Sequence, residues 1–168
     1  QGLLRPHKAW CPICYQHCRQ NKQVIYDHLL WSLNDVKICV KHQHPLMEAC
    51  PHCHHKLLWL SSKSNLGYCS HCYQWLGESY DTSFSKTPID DWDRWVANCL
   101  GELLANADYL SSTLTSEQIQ SSLISIVHHV TAGNIAAFAA KLKIPKNTFW
   151  GWYSGKTRPT LSALLKIC

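Results

Sequence analysis

Four short ligand pairs lie between Cys11 and Cys72: CPIC, CVKH, CPHC and CSHC. In each pair two residues separate the side chains, a spacing that lets one tight turn present both to a single tetrahedral ion. The expected grouping is two structural zinc sites, Cys11/Cys14/Cys39/His42 and Cys50/Cys53/Cys69/Cys72. The second set has the C-x₂-C-x₁₅-C-x₂-C form, within the spacing of a known zinc pattern. The first has a longer loop between its pairs, and two wider pairings stay open there: Cys18 in place of Cys14, and His44 in place of His42. His52, His54, His55 and His71 interleave with the ligands and are expected as solvated surface groups, as are His128 and His129 farther on.

The ligand count speaks against catalysis. A catalytic zinc normally has three protein ligands and keeps its fourth position for water, whereas each set here supplies four. A zinc deaminase needs a His-x-Glu ahead of its Pro-Cys-x-x-Cys, and none precedes Cys50. HEXXH, P-loop and G-x-S-x-G patterns are absent. No enzymatic activity is expected, and the cofactors are two structural Zn²⁺ ions. The chain has ten cysteines and opens without a signal-peptide pattern, which favours metal and a reducing compartment over a disulfide scaffold. No apolar stretch approaches the roughly 20 residues of a membrane span, so no membrane partner is expected.

Residues 1–76 are expected to form a small tandem zinc-ribbon module, irregular with short β segments. Their apolar positions are too sparse for a self-sufficient core. Trp10, Tyr26, Leu30, Trp31, Ile38 and Val40 are expected around the first site, and Leu46, Met47, Leu57, Leu58, Trp59 and Leu60 around the second. A short strand is expected over 56–60, with a turn over 61–67. Metal supplies the missing stability, since a structural zinc is worth on the order of 10–16 kcal/mol in finger peptides.

A linker rich in Ser, Thr and Asp follows at 77–89, and residues 90–168 read as an all-α domain. Over 90–107, Trp92, Trp95, Val96, Cys99, Leu100, Leu103 and Leu104 recur at three- and four-residue steps, which predicts a helix with one apolar face. Thr115-Ser116-Glu117-Gln118 has the capping-box pattern and starts a helix through Val130, with Ile119, Leu123, Ile126 and Val130 on one side. Gly133-Asn134 ends that helix and caps the next. The stretch 134–155 has the layout of a helix-turn-helix: a first helix over 134–142, a turn at Lys143-Ile144, then a second helix with Pro145 in its first turn, stopping at Gly155. Phe149 and Trp152 face inward. Leu161, Leu164 and Leu165 open a closing helix.

Charge is divided along the chain. Residues 1–76 carry eight Lys/Arg against three Asp/Glu, 77–133 two against eight, and 134–168 six against none. Basic ends suggest contact with a polyanion. In a helix-turn-helix the second helix reads base edges in the major groove while neighbouring cations neutralise phosphates. Lys146 and Asn147 are the candidates for base edges; Thr148, Lys156 and Arg158 are placed for phosphates, and Trp150 suits a DNA contact or a partner interface. The plainer alternative is a helical hairpin that only packs against a partner.

The combination resembles the TniQ/TnsD family of transposon target-selection proteins. The joint C-x-x-H-x-x-x-L-x-x-x-C-P-x-C, from Cys39 through His42, Leu46 and Cys50 to Cys53, is its specific part. Separately, Phe138 to Pro159 is similar to the helix-turn-helix of phage-repressor-like regulators, including the terminal Ser-Gly-Lys-x-Arg-Pro. The first resemblance covers the opening 76 residues and implies a non-catalytic adaptor. Such an adaptor recognises an attachment site on double-stranded DNA, or sits on a CRISPR effector, and recruits the AAA+ ATPase that brings the transposase. By position it implies the same eight zinc ligands and a cytoplasmic, nucleoid-associated prokaryotic protein. The basic helix-turn-helix favours the branch that reads DNA directly. The competing expectations are a zinc-stabilised repressor-type transcription regulator and a purely protein-interacting adaptor. Family members usually carry a Pro…Glu-Ser-Leu segment before the first zinc pair; only ten residues precede Cys11 here. The absent methionine and the apolar last residues mark the chain as an expected fragment.

Overall fold

Pro12 directly follows the first cysteine, and its fixed φ suits a helix start. Helix α1 (Pro12–Gln20) begins there with Cys11 as its N-cap. This helix lies in a stretch expected to be irregular; the apolar face Ile13/Cys14 and the buried Tyr15 anchor it to the core. The computed structural model describes residues 2–78, 88–111 and 115–168. It divides into two units, Gln1–Leu104 and Ala105–Cys168.

Regular strand is scarce in the first unit, as expected. Strands β1 (Ile38–Cys39) and β2 (His44–Pro45) pair antiparallel, Ile38 opposite Pro45 and Cys39 opposite His44. Single bridges join Leu4 to Leu33, Trp10 to Met47, Ala49 to Lys56 and Tyr68 to Trp75. The strand expected over 56–60 does not form. Its backbone makes only the bridge at Lys56 and one hydrogen bond from the Lys8 amide to the Leu57 carbonyl at 2.8 Å, too few for a ladder, and Leu58 and Leu60 lie exposed. Tyr26 and Val40 are also at the surface, so the packing expected around the first site reduces to Trp10, Trp31 and Ile38 with the unforeseen Tyr15 and Val36.

Two cations are buried in this small core. Arg5 donates from Nε and Nη2 to the Leu33 carbonyl at 3.3 and 3.1 Å, from Nη2 to the Val36 carbonyl, and pairs with Glu48 at 2.6 Å. Lys8 pairs with Asp27 at 2.8 Å, and the Tyr15 hydroxyl donates to the same carboxylate. With so few apolar side chains, these residues fill interior space while keeping every donor partnered.

Helix α2 (Asp91–Ala105) is shorter than the predicted 90–107. It falls in the first unit, where Lys37 approaches Asp93 at 3.5 Å and Arg94 donates to Gln43 at 2.9 Å. Its buried stripe is Val96, Ala97 and Leu100; Trp92 and Leu103, expected inside, are exposed at its edge. Most of the expected linker lies at 79–87, outside the described residues.

In the second unit, α3 (Ala107–Ser111) precedes α4 (Ser116–Thr131). The capping box at Thr115 forms in full: the Gln118 amide donates to Thr115 Oγ1 at 3.3 Å, and the Thr115 amide to Gln118 Oε1 at 2.8 Å. Ala132 and Gly133 turn left-handed, with φ of 48° and 84°, and end the helix. Leu123 and Val127 are the buried pair of α4, whereas Val130 is exposed because the chain leaves the core at that last turn. Asn134 then caps α5 (Ile135–Lys141), accepting from the Ala137 amide at 3.0 Å. After a turn through Lys143 (φ 54°), α6 runs over Lys146–Tyr153 and α7 over Leu161–Ile167. Pro145 is the N-cap of α6 rather than part of its first turn, since its ψ of 133° is extended. Phe138, Phe149, Trp152, Leu123, Val127 and Ala163 make the core of this unit.

Candidate functional site

The three later ligand pairs share one local design. In each, the first cysteine's carbonyl accepts from the amide four residues on: Gln43 to Cys39 at 2.8 Å, His54 to Cys50 at 2.9 Å, Tyr73 to Cys69 at 3.0 Å. The donating residue is left-handed each time, with φ of 48°, 58° and 58°. That turn points both ligand side chains to one side of the chain. The first pair is built differently: Cys11 caps α1 and Cys14 sits in its opening turn, so helical geometry sets their spacing.

The turns bring the expected ligands together. The donor atoms of Cys11, Cys14, Cys39 and His42 lie within 4.8 Å of one another, as do those of Cys50, Cys53, Cys69 and Cys72. Cys14 Sγ is 3.6 Å from Cys39 Sγ, and His42 Nδ1 is 3.5, 3.2 and 3.7 Å from Cys11, Cys14 and Cys39. In the second cluster Cys50 and Cys72 stand 3.7 Å apart, and Cys53 and Cys69 3.6 Å. Thiolates bound tetrahedrally at about 2.3 Å from zinc stand about 3.8 Å apart, so both clusters have the dimensions of a zinc shell. The separations are far beyond a disulfide bond of about 2.05 Å, and all ten cysteines are free. Of the alternatives left open, Cys14 and His42 are in the cluster; Cys18 and His44 are not.

Packed donors compete for protons. Contacts with Cys11 and then Cys14 hold the Cys39 thiol down to about 2. The same contacts push Cys14 far above its ordinary value, and Cys11, drawn down by Cys14 but raised by Cys39 and burial, reaches about 12. At Cys69 burial pushes upward, but the backbone amides of Cys72 and His71 outweigh it and bring the thiol to about 7. A divalent cation resolves this competition by replacing the shared protons. The interleaved His52, His54, His55 and His71 are exposed, with the rings of His55 and His71 stacked 4.3 Å apart.

In the second unit, Lys146, Asn147 and Thr148 occupy the exposed first turn of α6. Trp150 is 48 % exposed on the next turn, and its ring stacks on Tyr153 at 5.9 Å. Lys156 and Arg158 lie on the loop after α6 and line an open cleft of about 210 Å³ with Ser116 and Gln120 of α4. Neither they nor Lys146 has a carboxylate within ion-pair distance among the described residues. The buried Arg5 and Lys8 and the half-buried Asp27 had no periodic signal in the sequence to mark them. Among the described residues no single helix is long and apolar enough to cross a membrane.

Residues 1–46 match the family model TniQ. The match covers the N-terminal part that holds the Cys11/Cys14/Cys39/His42 cluster, and supports a likeness to the TniQ family there. No curated relative matches the chain.

Proposed function

We propose, from the TniQ match, that the protein is a non-catalytic target-site selector of a DNA transposition system. It binds duplex DNA through its C-terminal helices and recruits the system's AAA+ ATPase. The observation that carries the DNA reading is the face of α6, which combines Lys146, Asn147 and Trp150 with Lys156 and Arg158 on the following loop, neither in an ion pair among the described residues. The pair α5 and α6, joined through Lys143, supports a helix-turn-helix in which α6 enters the major groove. No acidic residue lies within 134–168 to repel phosphate.

Both zinc clusters act structurally in this reading. Four protein donors close each shell, leaving no position for substrate. Zinc, when bound, supplies rigidity to a core-poor module, and the residues around it present a fixed surface. Helix α2, tied to that module through Asp93 and Arg94, extends the surface available to the ATPase.

DNA-binding titrations over a range of salt concentrations test the reading. Lys156→Ala and Arg158→Ala should weaken all duplexes alike, each reducing the salt slope by about 1. Lys146→Ala and Asn147→Ala should relax sequence preference by about 1–3 kcal/mol. If none of the four changes DNA affinity, the face of α6 serves a protein. Co-purification with the ATPase of the same transposon separates a target selector from a repressor-type regulator.

A further inference from the structure

Helix α6 carries an aromatic residue where its outward face would otherwise be polar. Its rotation is pinned from inside: Phe149 is fully buried, its ring 5.2 Å from Phe138, and Trp152 packs on Phe149 at 5.9 Å. With that face fixed, Trp150 falls four residues after Lys146 and three after Asn147, on the same exposed surface. The indole is not loose. Tyr153, one turn further, stacks beneath it with ring planes 21° apart. Its Nε1–H has no acceptor among the described residues, and half its surface meets water.

A major groove offers one apolar feature on base edges, the thymine C5-methyl group. The helix rises about 1.5 Å per residue, so Trp150 lies about 6 Å along the axis from Lys146. Base pairs are spaced about 3.4 Å. An α6 that sets Lys146 and Asn147 on one base pair therefore holds the indole over the next one or two. We infer that Trp150 is a specificity-determining residue that reads thymine methyl groups in the major groove, beside the base pairs contacted by Lys146 and Asn147. This rests on the proposed DNA binding. The stack with Tyr153 restrains the half-exposed ring, so little ordering is needed when the methyl is covered.

The test selects duplexes from a randomised pool with the whole chain, then replaces each thymine in turn by deoxyuridine. That exchange keeps base pairing and removes only the methyl group. The expected result is about fourfold weaker binding at one or two adjacent positions, the worth of one buried methyl, with Trp150→Ala binding both duplexes equally. Trp150→Phe should keep part of the discrimination. Unchanged helical circular dichroism in both variants separates the effect from misfolding. Indifference of the native protein to every deoxyuridine, or discrimination that persists in Trp150→Ala, overturns the inference while leaving DNA binding intact. Loss of ATPase co-purification in Trp150→Ala, with DNA recognition unchanged, assigns the indole to a protein interface and overturns it too. Failure of the native protein to bind any duplex overturns the DNA reading itself.

Discussion

Trp10 and Met47 exchange backbone hydrogen bonds in both directions, at 3.0 Å to the Met47 carbonyl and 2.8 Å to the Trp10 carbonyl. Trp10 precedes Cys11, and Met47 lies between His42 and Cys50. The Trp10 indole also donates to the Leu76 carbonyl at 3.2 Å, just beyond Cys72. One residue thus ties both clusters to a common scaffold. Chelator titration followed by metal release and tryptophan fluorescence should show the two ions leaving in one transition. Two well-separated transitions would show independent sites.

The ligand assignment has a direct consequence. Cys14→Ser should reduce bound zinc from about two ions per chain to about one, since it removes one of four donors from a closed shell. Cys18→Ser should leave it at two, because Cys18 lies outside both clusters. Metal analysis of the purified variants decides.

Arg5 contributes through geometry more than through charge. Its planar fork satisfies the Leu33 and Val36 carbonyls together. Arg5→Ala leaves the Val36 carbonyl unsatisfied at about 1–3 kcal/mol, while the Leu33 carbonyl keeps the Val36 amide at 3.2 Å. Arg5→Lys should recover little, since an ammonium cannot span both carbonyls. Urea unfolding of the zinc-loaded protein measures both.

His28 introduces a pH dependence. Burial lowers its pKa below the ordinary 6.5, and its ring packs on Trp31 at 4.5 Å. The folded state therefore prefers the neutral ring. Its contribution is present above about pH 6.5 and is lost as pH falls through the depressed value. Thermal unfolding midpoints measured downward from about pH 7.5 should fall more steeply in the native protein than in His28→Phe.

Gly151 permits close approach of the loop that carries Lys156 and Arg158. A Cβ there would stand 2.6 Å from Thr157 Oγ1 and 3.8 Å from its Cβ. Gly151→Ala alone should lose the helix-propensity gain of about 1 kcal/mol to this clash, and Gly151→Ala with Thr157→Ala should recover it. Chemical denaturation of the single and double variants tests the coupling.

The sequence by itself determined the local features. That the Cys/His pairs fall into two sets of four was legible because a two-residue gap has few structural solutions around one ion. The capping box at Thr115, the cap at Asn134 and the inward Phe149 and Trp152 were legible because each depends on residues within a turn or two. The tertiary structure decided what depends on distant partners. It selected Cys14 and His42 over Cys18 and His44, made a helix of 12–20, and left 56–60 without strand pairing. It placed α2 with the unit that carries both Cys/His clusters and left Trp92 and Leu103 outside. It also buried Arg5 and Lys8, whose carbonyl and carboxylate partners lie 19 or more residues away. Spacing along the chain fixes what a turn can present; only the folded chain fixes what it is presented to.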